Sequence, residues 1–399
     1  MKADVVIAGG GIGGAVLAEM LGRGGKRVVV LERSTASPNW LRPEILWPAT
    51  VEVLFSLAPR QVWEQTAMLP LQEIRVHDGE KFVPLVTRKV MDAAHVQPWF
   101  TNPNETRELL LRLGGFELRR GVEVTEVLKE GERIVGVRSR DLATKQETEI
   151  FAPWTVGDDG VHSAVRKACG IDMPTRLFAV EFHCTAMPWP DHLPEGVVHL
   201  WPNWRNAGSG IRLFGAGSLP GGKAVGLAIV NGGRFDANPD QEASWRRLCE
   251  MDPDLARLGA NVDFPKGFMR IKRPWGHAAH YGAPGAAIMG DAAHSVSPAG
   301  GQGANMSVAD AVVLAELLLS GEPNLIAEYE RRRRPASERS LTPTRFAHRA
   351  LALPGWMIPN VSRRSLLRWL SRHPATAQRA LRSVSTLFQE RPVTPAAGA

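Results

Sequence analysis

Asp4-Val5-Val6-Ile7-Ala8, then Gly9-Gly10-Gly11-Ile12-Gly13-Gly14, then Ala15-Val16-Leu17-Ala18-Glu19-Met20-Leu21 is the stretch that decides the fold of this chain. The first run is β-branched and apolar throughout, as a parallel strand buried on both faces must be. Gly9, Gly11 and Gly14 fall on the three positions of a G-x-G-x-x-G fingerprint. The first glycine permits the tight turn, the second lets a pyrophosphate reach the backbone, and the third lets helix and strand pack closely. The run from Ala15 reads as helix, closed by Gly22, Gly24 and Gly25. At its start, around Ile12 and Gly13, unpaired N–H groups and the positive end of the helix dipole face an anion. A second apolar strand, Arg27 to Leu31, ends at Glu32, 18 residues beyond Gly14, with Arg33 beside it. An acid there accepts from ribose hydroxyls. The pattern is a dinucleotide site at the edge of an α/β domain, and by itself it does not separate NAD from FAD.

Working outward, 399 residues suit about two or three domains. A composition of 44% hydrophobic and 22% charged residues is that of a globular chain with an ample core. Cys169, Cys184 and Cys249 are odd in number and widely spaced, with no metal-ligand pattern. The expectation is a reducing, cytoplasmic setting and no metal centre. The apolar N-terminus is spent on the first strand, so no signal peptide is expected, and no run of 18 apolar residues suggests a membrane span. The net charge of +7 is uneven, because residues 339–389 carry no Asp or Glu. Within them Arg363-Arg364-Ser365-Leu366-Leu367-Arg368-Trp369-Leu370 is a basic amphipathic helix with two readings. It lies peripherally on an anionic membrane, or it packs its Leu/Trp face on the core. No nucleic-acid module accompanies the charge.

Further along, Pro48 opens a helix ending near Leu57. Ile74-Arg75-Val76-His77 and Lys81 to Leu85 form a hairpin around Asp78-Gly79-Glu80, in a layer apart from the parallel sheet. Asn104 caps a helix from Glu105 to Leu113. Val122 to Leu128 and Ile134 to Arg138 are strands, and Phe151 to Val156 is another. From Phe178 to Val230 the pattern is antiparallel, with strands Val197 to Trp201, Ile211 to Phe214 and Ala224 to Ile229, and Gly215-Ala216-Gly217 reads as a hairpin turn. Gln241 to Cys249 is helical. Ala286 to Met289 is a buried strand, and a long helix runs from Ala304 to Leu319.

Two more acid-glycine turns follow the fingerprint. Gly157-Asp158-Asp159-Gly160 is a strand-to-helix turn followed by Ser163 and Arg166. Gly290-Asp291-Ala292-Ala293-His294 leads to Pro298, Gly300, Gly301, Gln302, Gly303, Ala304 and Asn305. An Asp at a strand end accepts from a ribityl hydroxyl, and a helix N-terminus beyond it holds the anionic edge of a flavin.

This ordered triple resembles the para-hydroxybenzoate hydroxylase family, the single-component FAD-dependent aromatic monooxygenases, over residues 1 to about 320. The resemblance implies a Rossmann-like FAD-binding domain interleaved with an antiparallel β-sheet substrate domain, plus C-terminal helices. It places the FAD-binding domain at 1–70, 101–175 and 276–335, the substrate domain at 71–100 and 176–275, and a helical region at 336–399. Glu32 then binds the adenosine ribose, Arg42 and Arg107 stand near flavin and pyrophosphate, and Val127 sits where the family packs backbone against adenine. Asp159 and Gly290 belong to the two later motifs, Asp291 holds the ribityl chain, and Pro298 and Gly301 to Asn305 contact the isoalloxazine. Where the family usually has Ala or Cys before the D-G pair, this chain has Asp158, an extra charge near the pyrophosphate.

The implied reaction uses NADH or NADPH and O2, and delivers oxygen from a flavin C4a-hydroperoxide to an electron-rich substrate. Twelve Trp against two Tyr point to an apolar aromatic-lined pocket for a hydrophobic aromatic or quinonoid compound, in secondary metabolism. His199, Trp201, Arg212 and Phe214 lie on strands of the substrate sheet, where alternation turns some of them inward. No catalytic base stands out. Flavin-dependent halogenases, isoprenoid reductases and a flavin carrier without turnover share the nucleotide fold. A halogenase W-x-W-x-I-P pattern is not met by Trp201-Pro202-Asn203-Trp204-Arg205.

Overall fold

The computed structural model describes residues 2–37, 44–178, 180–203, 210–231, 241–260, 262, 264, 266–271, 274–296, 298, 300–352 and 360–390. Arg42, Trp40 and Trp204 lie outside them.

The apolar strands Val5–Ala8 and Val28–Glu32 pair in parallel, and both are wholly buried. Trp154–Gly157 and Ala286–Ile288 extend the sheet on one side and Glu117–Arg120 on the other, all in parallel, with Gly282–Ala283 as an antiparallel edge. Three segments distant in sequence therefore meet in one sheet. The helices Ile12–Arg23 and Gln302–Ser320 pack on it and on each other. By length and composition the second could cross a bilayer; here Leu314, Ala315 and their neighbours are buried in the core.

The second layer is a seven-stranded sheet. Its strands run in the order Met269–Ile271, Val180–Pro188, Lys223–Asn231, Ile211–Leu219, Val197–Pro202, Glu73–His77, Phe82–Thr87. The early hairpin joins it through a parallel pairing of Glu73–His77 with Val197–Pro202. Between the two layers lies a small sheet of Glu44–Leu46, Trp99–Thr101 and Met68–Pro70. Val122–Glu130, Arg133–Asp141 and Glu147–Phe151 form a meander.

Three local expectations are corrected. Phe151 to Val156 is two strands, because Pro153 has no N–H to give a ladder. The helix expected at Glu105 starts at Pro103, whose missing N–H costs nothing in a first turn, and its cap is Asn102, accepting from the Asn104 N–H at 3.1 Å. Gly215-Ala216-Gly217 is the middle of a nine-residue strand, not a turn. A Cβ on Gly217 would lie 2.8 Å from the Phe100 ring, and one on Gly215 2.8 Å from Leu200, so these glycines answer to close packing.

The C-terminal helices Leu325–Ala352, Asn360–Arg372 and Pro374–Thr386 complete the chain's described part. In the second of them Leu367 is buried with Val76 and Val83, and Arg368 binds Asp78 at 2.7 Å. Leu366 and Trp369 are exposed.

Candidate cofactor site and adjoining cavity

Two hollows that share Gly11 and Asp158 lie at the parallel sheet's C-terminal edge, and a third lies next to them against the seven-stranded sheet. The first, about 410 Å³, is lined by Gly9, Glu32, Arg33, Arg107, Val122, Val124, Asp159 and His162, among others. The Glu32 carboxylate is fixed by the Gly10 N–H at 2.8 Å and the Ser34 N–H at 2.7 Å, with the Arg107 guanidinium 4.0 Å away. Arg107 and Arg120 also share Glu108, at 3.1 and 2.6 Å. Arg33 lies 3.5 Å from Glu123. Asp159 accepts from the Ala164 N–H at 2.6 Å at the start of the short helix Ala164–Ala168, whose N-cap is Ser163, and its other oxygen is a buried acceptor with no protein partner. Val127 is not at this cleft. Its side chain is in the core, and the start of its strand, Val122 to Val124, borders the cleft instead.

The second hollow, about 160 Å³, is lined by Gly11, Ile12, Gly13, Glu44, Asp158, Gly160, Asp291, Gly303, Ala304 and Ser307. Two helices begin here. Each has glycine as its N-cap, Gly11 and Gly301, and neither cap makes a side-chain hydrogen bond to the first turn. First-turn N–H groups of both helices are thereby left for an anion. Gly9 and Gly290 have φ of 100° and 56°, which side chains avoid. A Cβ on Gly13 would meet Met289 at 2.8 Å and the Ser307 carbonyl at 2.9 Å. The third fingerprint glycine serves a further neighbour: the Gly14 N–H donates to Asp158 Oδ2 at 2.8 Å.

The third hollow is a cavity of about 350 Å³ between the seven-stranded sheet and the Pro298–Gly301 end of the cofactor loop. Ile45, Phe100, Val198, Leu213, Leu227 and Ile229 give it an apolar wall. Consecutive residues Glu44 and Ile45 line the second and third hollows, and Gly301 and Gly303 do the same from the helix start. Asn305 is fully buried rather than at the surface of either. Its Oδ1 accepts from the Trp47 N–H and its Nδ2 donates to the Ile45 carbonyl, both at 2.9 Å. It thus ties the dividing strand to the helix.

The four residues expected to face substrate do not line this cavity. His199 pairs across the sheet with Arg75, and Trp201 with Phe214. Their face is opposite to that of Val198, Leu200 and Leu213, since successive side chains alternate. Trp201 and Phe214 pack instead with Trp245 and Phe268, under the helix Gln241–Cys249. His199 stacks on Trp201 and contacts the Arg75 guanidinium; burial first, then Arg75, lowers its pKa to about 3, so it is neutral. Arg212 is the extra residue of a β-bulge between Ile211 and Leu213, where the ladder with Lys223–Asn231 slips by one, and it is not among the residues lining the cavity.

Behind the Gly290-Asp291 turn is a buried charged triad that sequence reading missed. Asp310 Oδ2 accepts from the Gly290 N–H at 3.0 Å and from His294 Nε2 at 2.6 Å. Its Oδ1 accepts from Arg333 Nε at 2.7 Å. Burial alone would raise the Asp310 pKa, but His294 and Arg333 outweigh it and bring it to about 2. Arg333 sits inside the run Arg331-Arg332-Arg333-Arg334, which looks like a solvated face. The signal was its phase: Tyr329, Ala336, Ser337 and Ser340, one or two turns away, are all buried with it. Arg166 likewise links two motifs, donating to the Ala292 and Val161 carbonyls at 2.9 and 2.8 Å.

These parts suit FAD: glycines at close approach, two helix starts with glycine at the N-cap, an acid at the ribose end and an unpaired acceptor at Asp159. Residues 2–344 match the family model of the FAD binding domain. The chain belongs to the FAD-dependent aromatic monooxygenase family. Among the relatives of this family member is 12-dehydrotetracycline 5-monooxygenase/anhydrotetracycline 6-monooxygenase of Streptomyces rimosus, 30% identical over 86% of this chain and 69% of that protein. Squalene epoxidase 2 of Arabidopsis thaliana is 27% identical over 79% of this chain, which spans only about half, 54%, of that relative. The crystal structure of p-nitrophenol 4-monooxygenase PnpA from Pseudomonas putida DLL-E4 superposes with a TM-score of 0.76, covering 98% of this chain and 100% of that one. At 19% identity this is a likeness of fold.

Proposed function

We propose that the protein is an NAD(P)H- and O2-dependent monooxygenase that hydroxylates or epoxidises a lipophilic aromatic or quinonoid compound of secondary metabolism. The observation that carries this is the set of three adjoining hollows, in which a dinucleotide track lies next to an apolar cavity. When bound, FAD supplies the hydride acceptor and the activation of oxygen. The chain's own residues do the rest. Glu32 holds the ribose, the N–H groups at Ile12 and Gly13 hold phosphate, and Asp291 holds the ribityl chain. Pro298, Gly300 and Gly301 would border the ring, and the first turn at Gln302 to Ala304 would stabilise negative charge there. Ile45, Phe100, Leu213 and Leu227 exclude water from the substrate. The name of the tetracycline relative, which acts on a polycyclic scaffold, supports a bulky aromatic substrate, and that of the squalene relative, whose compound is an acyclic hydrocarbon, supports only its lipophilicity.

The test is NADPH or NADH oxidation by FAD-loaded protein with a panel of neutral polycyclic phenols, quinones and small charged benzoates. Stimulation by the lipophilic members, with an oxygenated product, is expected. Flavin that neither nicotinamide reduces, or stimulation by benzoates alone, would overturn the assignment.

A further inference from the structure

Gly11 and Asp158 line both the first and the second hollow. Any dinucleotide running from one to the other therefore passes the Asp158 carboxyl. That carboxyl is already built into the phosphate-binding end of the first helix. Its Oδ2 takes the Gly14 N–H at 2.8 Å, and its Oδ1 lies 3.4 Å from Ser307 Oγ on the other glycine-capped helix. The glycines make room for it. A Cβ on Gly11 would lie 2.7 Å from Oδ2, one on Gly14 2.9 Å from it, and one on Gly290 2.7 Å from Oδ1. An acid thus stands at the meeting point of all three motifs, in the helix-start pocket where an anion belongs.

An ionised carboxylate there repels the two charges of a pyrophosphate, whereas a neutral carboxyl keeps the Gly14 contact and has an O–H to donate. We propose that Asp158 is an FAD-binding residue that acts as the neutral acid, so that FAD uptake from alkaline solution, where the free protein has lost that proton, carries a proton with it.

The charged surroundings favour the neutral form. Asp159 adjoins it on the same turn, Glu44 and Asp291 line the second hollow, and Asp310 stands behind Gly290. Glu32, Glu123, Arg33, Arg107 and His162 line the first hollow, and buried Tyr329 packs beneath the sheet. Burial is the largest influence on Asp158; the Gly14 N–H opposes it, Asp159 and Asp310 reinforce it, and the pKa rises to about 8.

The inference rests on the track being an FAD site. The experiment is FAD titration of flavin-stripped protein by flavin fluorescence, from pH 7 to 9.5, with the wild type and Asp158→Asn. With an apo pKa near 8, linkage makes the wild-type Kd rise about 30-fold over that range, approaching tenfold per pH unit. The isosteric amide also binds FAD, with a pH-independent Kd near the wild-type value at pH 7. Calorimetry at pH 8.5 in buffers of different ionisation heat reads the proton uptake directly, and Asp158→Asn abolishes it. A flat wild-type profile, or the same slope in Asp158→Asn, overturns the role of Asp158 while leaving the FAD site standing. Failure of both proteins to bind FAD at pH 7 overturns the proposal and the cofactor reading together.

Discussion

Removing Asp310 should damage this protein more than removing its partner Arg333, and the asymmetry follows from the bonds each leaves behind. Both side chains are 0% exposed. Asp310→Ala strands the Arg333 guanidinium in the core with only the Phe388 and Met306 carbonyls, and it orphans the Gly290 N–H and His294. Breaking a buried pair by deleting one partner costs about 3–5 kcal/mol. Arg333→Met leaves Asp310 with two donors, the Gly290 N–H and His294 Nε2, so its charge stays hydrogen-bonded. That variant should fall at the lower end, about 3 kcal/mol, since one carboxylate oxygen loses its partner while the other keeps two donors. Replacing the pair with apolar residues, Asp310→Leu with Arg333→Met, should cost less than the sum of the single changes, because no charge is left buried. Urea unfolding at pH 7, followed by tryptophan emission, measures stability. Flavin fluorescence in the same samples reports release of FAD, which Asp310→Ala should advance to lower urea, since the Gly290-Asp291 turn loses its anchor. The sign with pH is fixed too. The folded Asp310 pKa, about 2, lies below its ordinary value of 3.8, so its stabilisation is complete above about pH 4 and is lost as pH falls through 2. Equal costs for the two single variants, or a double variant as poor as their sum, would refute the reasoning.

Other expectations are narrower. Asp291→Ala should weaken FAD retention on dialysis by removing a ribityl acceptor; a variant that stays fully yellow counts against it. Gly217→Val should push Phe100 into the cavity, since a Cβ there lies 2.8 Å from the ring, and so raise KM for bulky substrates while leaving FAD affinity unchanged. An unchanged KM would remove Phe100 from the cavity wall. His199 is held neutral, with a folded pKa near 3 against an ordinary 6.5, so its contribution is full above about pH 6.5 and drains as pH falls toward 3. His199→Gln should flatten the stability profile in that window, and an unaltered acid limb would contradict this.

The parallel sheet and its first cleft were legible because they are local: a buried strand, three spaced glycines and a terminal acid lie within one stretch. The two later motifs were legible for the same reason. What lay beyond reading was parity and phase. His199, Trp201, Arg212 and Phe214 are the more chemically equipped residues of their strands, but which face meets the cavity is set by the covering helix Gln241–Cys249 and by Ile45 and Phe100 on its other wall. The quiet neighbours Val198, Leu200 and Leu213 line the cavity. Gly215 to Gly217 looked like a turn because glycine in a strand is costly, and only Phe100 and Leu200, distant in sequence, explain it. Arg333 was hidden by its charged neighbours, and Asp310 by a helix that otherwise reads as core.

The central claim is that oxygen is delivered from the end of the FAD track into the apolar cavity. Its most direct test is mass spectrometry of products formed from neutral polycyclic substrates by FAD-loaded protein with NADPH or NADH under ¹⁸O₂. The account predicts one ¹⁸O atom per product, lost when Leu213→Trp fills the cavity although FAD stays bound. Nicotinamide oxidation that yields only hydrogen peroxide across the panel, or labelled product unaffected by Leu213→Trp, would contradict it.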